Sequence, residues 1–124
     1  LVDDYEMNLK VGRNLLNIYG IKPDLVNSGK DAIEAMKRKR YDIVFLDHMM
    51  PQMDGIETLK HLKNNNLIKE GTIMIALTAN AVVGARESYL EAGFDDYLSK
   101  PIELKALGEM LIKHLPEELV KYGK

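Results

Sequence analysis

The stretch YDIVFLDHMMPQMDGIE, residues 41–57, decides the fold. Residues 43–46 form an apolar run without polar alternation, which is typical of a parallel strand buried on both faces. The run ends on Asp47, and the chain then stays apolar through two methionines before the turn pair Asp54-Gly55. A buried strand that leads directly into a carboxylate predicts a functional site at the end of that strand.

Helical and strand-like segments alternate along the chain. Apolar residues recur at helical spacing within residues 7–18, 28–40, 56–66, 89–93 and 104–115. Short extended or apolar runs stand between these helical segments, at residues 24–26, 43–46, 73–77 and 97–98. This alternation predicts an α/β domain, spanning residues 1–124 as a single unit, with one parallel sheet covered on both faces. The first strand would keep only Leu1 and Val2, so we expect the natural chain to begin earlier.

Composition excludes several classes of protein and site. The 124 residues are 46% hydrophobic and 29% charged, with a net charge of −2 and no cysteine. Disulfides, thiolate metal sites and cysteine nucleophiles are therefore excluded. The near-neutral charge attracts neither nucleic acid nor an anionic membrane, and the basic run at residues 37–40 is expected to complement a helix C-terminus. No apolar run is long enough for membrane insertion, so we expect a cytoplasmic domain, and the sequence leaves a possible homodimer open.

Polar residues follow the predicted strands at the points where these strands end. Asp3 and Asp4 follow the first strand, Asp47 and Thr78 end two buried strands, and Lys100 follows the last strand. In an open parallel sheet, ligands bind in the crevice beyond the carboxyl ends of the strands. We therefore expect all five side chains to face one pocket.

The chemistry of that pocket follows from its charges. Three carboxylates at a spacing of roughly 4 Å repel by several kcal/mol, and an oxygen-preferring cation such as Mg²⁺ would offset this repulsion. The cation would leave Asp47 able to attack an electron-rich phosphoryl group as a nucleophile. Lys100 would supply a positive charge and Thr78 a hydroxyl donor for the phosphoryl oxygens. The set predicts a phosphoryl-accepting site.

Four motifs, in this order, resemble those of response-regulator receiver domains. They are DD at 3–4, FLDHMMPQMDG at 45–55, ALTAN at 76–80 and LSKPI at 98–102, and the resemblance covers essentially the whole chain. It implies a flavodoxin-like fold, with a doubly wound parallel five-stranded sheet of order 2-1-3-4-5 whose first strand is truncated here. DHMMP and ALTAN look most like the receivers of hybrid sensor histidine kinases.

The resemblance also implies a role for each site residue. Asp47 would take a phosphoryl group from a histidine kinase or a histidine phosphotransfer protein. Asp4 and Asp47 would ligate Mg²⁺, with Asp3 assisting through water and the main-chain carbonyl of Met49 as a further ligand. Such a domain would be a signalling module rather than an enzyme.

The resemblance also implies a conformational switch. Thr78 would move toward the phosphoryl group, and the ring of Tyr97 would turn between an inward and an outward packing. The surface formed by the fourth helix, the fifth strand and the fifth helix would change as a result. The resemblance further predicts a cis peptide bond between Lys100 and Pro101, which would aim the lysine into the pocket.

Two rival functions remain. One is a Mg²⁺-dependent phosphohydrolase with an aspartyl nucleophile, in which the second residue after the nucleophile is an aspartate that acts as acid and base. Here that residue is Met49, which counts against this alternative. The other rival is a degenerate receiver that only binds partners, which the intact set of polar residues argues against.

The remaining polar and sulfur-containing residues have simpler interpretations. We expect His48 to be a partly exposed loop residue, and His61 and His114 lack the partner spacing of a metal site. The pair Asp95-Asp96 is predicted to form a turn before the last strand. The methionines that follow Asp47 are expected to pack the loop.

Overall fold

The computed structural model describes residues 1–21, 23–39, 41–48, 50, 53–68, 72–78, 85–100 and 102–114. Within these residues there are five helices and three strands, and each strand lies between two helices. The helices are α1 (Glu6–Ile18), α2 (Gly29–Arg38), α3 (Gly55–Asn64), α4 (Ala85–Ala92) and α5 (Leu104–His114). The strands are β1 (Ile43–Asp47), β2 (Ile73–Thr78) and β3 (Asp96–Ser99). Within these residues, no helix is long and apolar enough to cross a membrane.

The sheet is parallel, and its order agrees with the sequence prediction. Strands β1, β2 and β3 are neighbours in that order. Val2 forms parallel bridges to Val26 on one side and to Leu46 in β1 on the other. The spatial order is therefore Val26, Val2, β1, β2, β3, which is the predicted order 2-1-3-4-5. The first two positions are reduced to single bridges.

Residues 1–3 occupy the centre of this arrangement through backbone hydrogen bonds. The Val2 N–H donates to Phe45 O at 2.8 Å, and the Asp47 N–H donates to Val2 O at 3.0 Å. On the other side, Asp3 N donates to Val26 O at 3.2 Å and Val26 N donates to Leu1 O at 3.1 Å. The short first strand thus supplies the central contact with four hydrogen bonds, and it carries Asp3 and Asp4 to the same edge as Asp47.

Helices cover both faces of the sheet, as predicted. Alternate side chains of each strand point to opposite faces, because the side-chain period of a strand is two. One face packs on α2, α3 and α4, through buried Val2, Ala32, Ile33, Met36, Val44, Leu46, Leu59, Leu62, Met74, Ala76 and Tyr89. The other face packs on α1 and α5, through buried Leu16, Phe45, Ile75, Leu77, Leu98, Leu107 and Leu111. Each buried strand therefore contributes side chains to both hydrophobic cores, which explains its continuous apolar sequence.

Side-chain caps mark the starts of α2 and α3, and a glycine follows the end of α4. Ser28 caps α2, since its Oγ accepts the Asp31 N–H at 3.1 Å. Asp54 caps α3 in the same way, with its Oδ1 accepting the Glu57 N–H at 2.8 Å. Gly93 follows α4 with a φ of +112°, in the left-handed region where glycine is favoured.

The apolar stripe that predicted α1 lies largely on the solvent side of the helix. Met7, Val11 and Ile18 are 56%, 44% and 47% exposed. The face that α1 turns inward is instead Leu9, Gly12 and Leu16. Periodicity predicts that a helix forms, but a helix with apolar residues on two sides does not reveal which side meets the sheet. The exposed stripe is thus available for another contact.

The interpretation of Asp96 as a turn residue was wrong. Asp95 does precede the strand, but Asp96 is the first residue of β3 and is buried. Its Oδ2 accepts from Lys113 Nζ at 2.9 Å and lies 3.1 Å from His114 Nε2. Burial alone would raise the pKa of Asp96, but the hydrogen bonds from Lys113, the Tyr97 N–H and His114 outweigh it and hold the pKa below 3.8. This carboxylate ties the end of α5 to the start of β3.

Replacing Asp96 with Asn is expected to lower the free energy of unfolding at pH 7 by about 1.5–3 kcal/mol, the usual range for hydrogen bonds to a charged group. A depressed folded-state pKa stabilises the fold above the unfolded value near 3.8 and loses this effect as pH falls through the folded value. The difference between the two proteins should therefore shrink under acid. Urea denaturation at several pH values measures it, with the exposed Glu91→Gln as control, and a difference that grew under acid would contradict the assignment.

Candidate functional site

Asp47 is a buried carboxylate at the carboxyl end of β1. It is 1% exposed. Lys100 Nζ lies 2.8 Å from its Oδ1. Its Oδ2 is also buried and has no hydrogen-bond partner among the described residues. One oxygen of Asp47 is thus held by the Lys100 ammonium group, and the other receives no hydrogen bond from the described residues.

Two further aspartates approach Asp47 from the end of the first strand. Asp3 is 2% exposed, and its Oδ2 lies 3.2 Å from Lys100 Nζ. The other oxygen of Asp3 accepts the Tyr5 N–H at 3.0 Å. Asp4 is exposed, and one carboxylate oxygen from each of Asp3, Asp4 and Asp47 falls within 4.8 Å of the others. The three carboxylates predicted to meet in one pocket do meet.

Lys100 and Thr78 reach the pocket from the ends of the neighbouring strands. The Lys100 N–H donates to Thr78 O at 2.8 Å, which joins the chain after β3 to the last residue of β2. Thr78 is buried, and it follows Leu77, the register partner of Asp47. Both predicted residues therefore lie at the same edge of the sheet as Asp47.

Burial and neighbouring charges shift the pKa values of Asp47 and Lys100. Burial, assisted by the charges of Asp3 and Asp4, raises the pKa of Asp47 to about 6, although Lys100 opposes the shift. Burial lowers the pKa of Lys100, but its hydrogen bonds and ion pairs with Asp47 and Asp3 outweigh this and raise it. Among the described residues the pocket brings together three carboxylates and one ammonium group, so a further positive charge would reduce the repulsion between the carboxylates.

The residues present fit a hard divalent cation. Mg²⁺ prefers carboxylate and carbonyl oxygens together with several waters. The pocket offers three carboxylates, of which Asp4 is open to solvent and Asp47 has an oxygen without a hydrogen bond. The proposed fourth ligand, the carbonyl of Met49, lies outside the described residues.

The loop after Asp47 is anchored by its backbone and by packing. Gly55 N donates to His48 O at 2.8 Å, and a Cβ at Gly55 would stand 2.5 Å from Asp47 O and 2.9 Å from His48 Cα. Met50 is buried, and Met53 packs against the core next to α3. The methionines after Asp47 thus pack the loop where they are described, as predicted.

His48 is a partly buried residue of this loop with a specific partner that the sequence did not reveal. Its Nδ1 lies 2.8 Å from the hydroxyl of Tyr89 in α4. Tyr89 in turn stacks on Tyr97, the predicted switch residue, which is partly buried in this structure. A helical position such as Tyr89 carries no local signal for a contact 41 residues away. Pro101, and with it the predicted cis bond, lies outside the described residues.

Comparison with known proteins identifies the family. The family model of the response regulator receiver domain matches residues 1–112. The chain belongs to this family. The receiver-like order of strands and the acidic pocket described above agree with that membership.

Among curated relatives, this receiver domain is similar to the aerobic respiration control sensor protein ArcB of Escherichia coli. The two are 39% identical over 113 residues, which is 91% of this chain. The chain spans only 14% of the length of ArcB. The relationship therefore concerns one region of a much longer sensor protein.

Two solved structures resemble the receiver domain closely. The receiver domain of the sensor histidine kinase PA1611 from Pseudomonas aeruginosa, with a magnesium ion in its active site cleft, is 34% identical, with a TM-score of 0.78 and 91% and 92% of the two chains covered. A chain in the co-crystal structure of the Saccharomyces cerevisiae phosphotransfer protein Ypd1 with the receiver domain of Ssk1 is 26% identical, with a TM-score of 0.78 and 92% and 88% covered.

Replacing Gly55 with Ala is expected to destabilise the domain by about 1–3 kcal/mol, because the new methyl group would meet the backbone of Asp47 and His48. Chemical denaturation measures this cost. A matched control is Gly12→Ala, where the nearest atom belongs to the flexible end of the Leu1 side chain. Equal stability of the Gly55→Ala variant and the native protein would show that the loop yields to the methyl group.

Proposed function

We propose that this receiver domain accepts a phosphoryl group on Asp47 from a phosphohistidine, with Mg²⁺ bound by the acidic pocket. One observation carries the proposal: Asp47 is buried, with Oδ1 held by Lys100 and Oδ2 without a hydrogen bond from the described residues. A structural carboxylate would be expected to have both oxygens satisfied. A nucleophile needs one oxygen whose lone pairs are not engaged in hydrogen bonds.

Each residue of the pocket has a separate role in the proposed phosphoryl transfer. The bond from phosphorus to the donor histidine nitrogen breaks as the bond to Asp47 Oδ2 forms, and the imidazole keeps the electron pair. Lys100, 2.8 Å from Oδ1, orients the carboxylate and stays close to the phosphoryl oxygens after transfer. Asp4 and Asp47 would ligate the cation, with Asp3 assisting through water, and Thr78 would offer a hydroxyl from the end of β2. When bound, Mg²⁺ neutralises charge on the phosphoryl oxygens.

The proposed partner is a histidine kinase or a histidine phosphotransfer protein, and the exposed side of α1 supports this. A depression of about 110 Å³ opens beside the pocket, lined by Asp3, Asn8, Val11, Lys100 and Ile102. Val11 belongs to the exposed apolar stripe of α1. A helix that presents a phosphohistidine could lay its apolar side on this stripe and reach Asp47. The similarity to the Ssk1 receiver, solved with a phosphotransfer protein, favours the same class of donor.

The proposed response uses Thr78 and Tyr97. Phosphorylation adds about −1.5 to −2 charges and three acceptor oxygens at one point, which would draw the Thr78 hydroxyl toward it. Tyr97 packs against the core that includes α4 and is only partly buried, so one side of its ring would be able to turn between core and solvent. The role of the pair in signalling remains a prediction, and no observation favours the phosphohydrolase alternative.

Incubation of the chain with Mg²⁺ and acetyl phosphate is expected to add the mass of one phosphoryl group, because Asp47 Oδ2 has no hydrogen bond from the described residues while Lys100 holds Oδ1. Intact-mass spectrometry measures the gain. The control is Asp47→Asn, which keeps the shape of the side chain but not its nucleophilic oxygen. No gain in the native protein would refute the proposal, and an equal gain in the variant would move the site elsewhere.

Replacing Asp4 with Asn is expected to weaken Mg²⁺ binding by about tenfold or more, or roughly 1.4 kcal/mol, because one of three ligating charges is lost. Phosphorylation should slow in parallel. Isothermal titration calorimetry measures the affinity. Asp31 in α2, which is exposed, provides the matched control through Asp31→Asn. A similar loss of affinity in both variants would mean that the acidic pocket is not the cation site.

A further inference from the structure

The main chain of His48 is fixed between the sheet and α3. His48 follows Asp47 directly, and its N–H donates to Leu77 O in β2 at 2.9 Å. Its carbonyl accepts the Gly55 N–H at 2.8 Å. A shift of the Asp47 backbone is therefore passed to His48 rather than absorbed by a loose loop.

The side chain of His48 connects this backbone to α4. Its Nδ1 lies 2.8 Å from the Tyr89 hydroxyl, and the two rings meet edge to face at 5.2 Å and 89°. Tyr89 is 5% exposed. Burying a hydroxyl without a hydrogen bond costs free energy, so the contact with His48 stabilises the buried position of the Tyr89 hydroxyl.

Tyr89 also contacts the predicted switch residue. Its ring stacks on Tyr97 with centroids 6.2 Å apart and planes inclined by 23°. On another side it meets the edge of Phe94 at 6.0 Å. The ring of Tyr89 thus contacts both His48, beside the proposed phosphoryl acceptor, and Tyr97.

We propose that Tyr89 is a positioning residue that couples the state of Asp47 to the packing of Tyr97 through its hydrogen bond with His48. This inference rests on the proposed phosphorylation of Asp47. It adds a connection through α4 to the one through Thr78 at the end of β2. With the bond intact, Tyr89 follows His48, and the stacked Tyr97 ring follows Tyr89.

A coupling role differs measurably from a purely structural role. A hydrogen bond that only satisfies the Tyr89 hydroxyl would change stability but not the response of Tyr97 to a ligand at Asp47. A coupling bond changes that response. Because coupling between two sites is reciprocal, it also changes the affinity of the pocket for a phosphoryl analogue.

The test uses Tyr89→Phe, which keeps the ring and its stacking but removes the hydroxyl. Beryllofluoride with Mg²⁺ serves as the phosphoryl analogue, and NMR of the Tyr97 ring records the response. The loss of one hydrogen bond is expected to reduce the analogue-induced change in the population ratio of the two Tyr97 packings by roughly two- to tenfold. The control is Tyr41→Phe, which removes a hydroxyl bonded to Asp24, far from the pocket in the fold.

His48→Phe tests the same bond from the other side, since a phenyl ring keeps the edge contact and removes Nδ1. The double variant should respond as each single variant does if both act through one bond. Phosphorylation of each variant is followed by intact mass. A native protein that gains no mass overturns the proposed function itself. If Tyr89→Phe or His48→Phe gains the normal mass and its Tyr97 ring still responds fully, the coupling is overturned and the proposed function stands. If Tyr89→Phe does not fold, the response of His48→Phe decides the question.

Discussion

The ion pair between Lys100 and Asp47 is the interaction on which the pocket depends. A buried carboxylate beside two others would be expelled or protonated without a positive charge nearby. Lys100 meets Asp47 at 2.8 Å and Asp3 at 3.2 Å, so one ammonium group holds two acids that come from distant parts of the chain. Breaking a buried pair of this kind costs about 3–5 kcal/mol, because the remaining charge stays desolvated.

The sheet makes this arrangement possible because its strands are parallel. All of their carboxyl ends lie at one edge, so the residues after them converge without any long loop. The apolar runs of β1 and β2 serve two cores at once, which fixes both strands in place. A rigid frame of this kind keeps the carboxylates close despite their repulsion.

Much of this could be predicted from the sequence, since buried parallel strands and acids at their ends leave local signals. Asp47 and Lys100 were identified in this way. The exposed side of α1 was not, because Met7 and Val11 show the same period as a core-facing stripe. Nor was the role of Asp96, whose partners Lys113 and His114 lie in another element. Contacts between distant elements depend on packing geometry, which no short pattern encodes.

The hydrogen bonds that hold residues 1–3 between β1 and Val26 have a consequence for the timing of events in the pocket. Local opening of one segment requires less free energy than unfolding of the whole domain. Each opening would carry Asp3 and Asp4 away from Asp47 and so disrupt the proposed cation site. A cation that binds only the closed form therefore slows exchange of the Val2 amide with solvent in proportion to its occupancy. Proton exchange at one buried valine would thus report on the assembly of the acidic pocket.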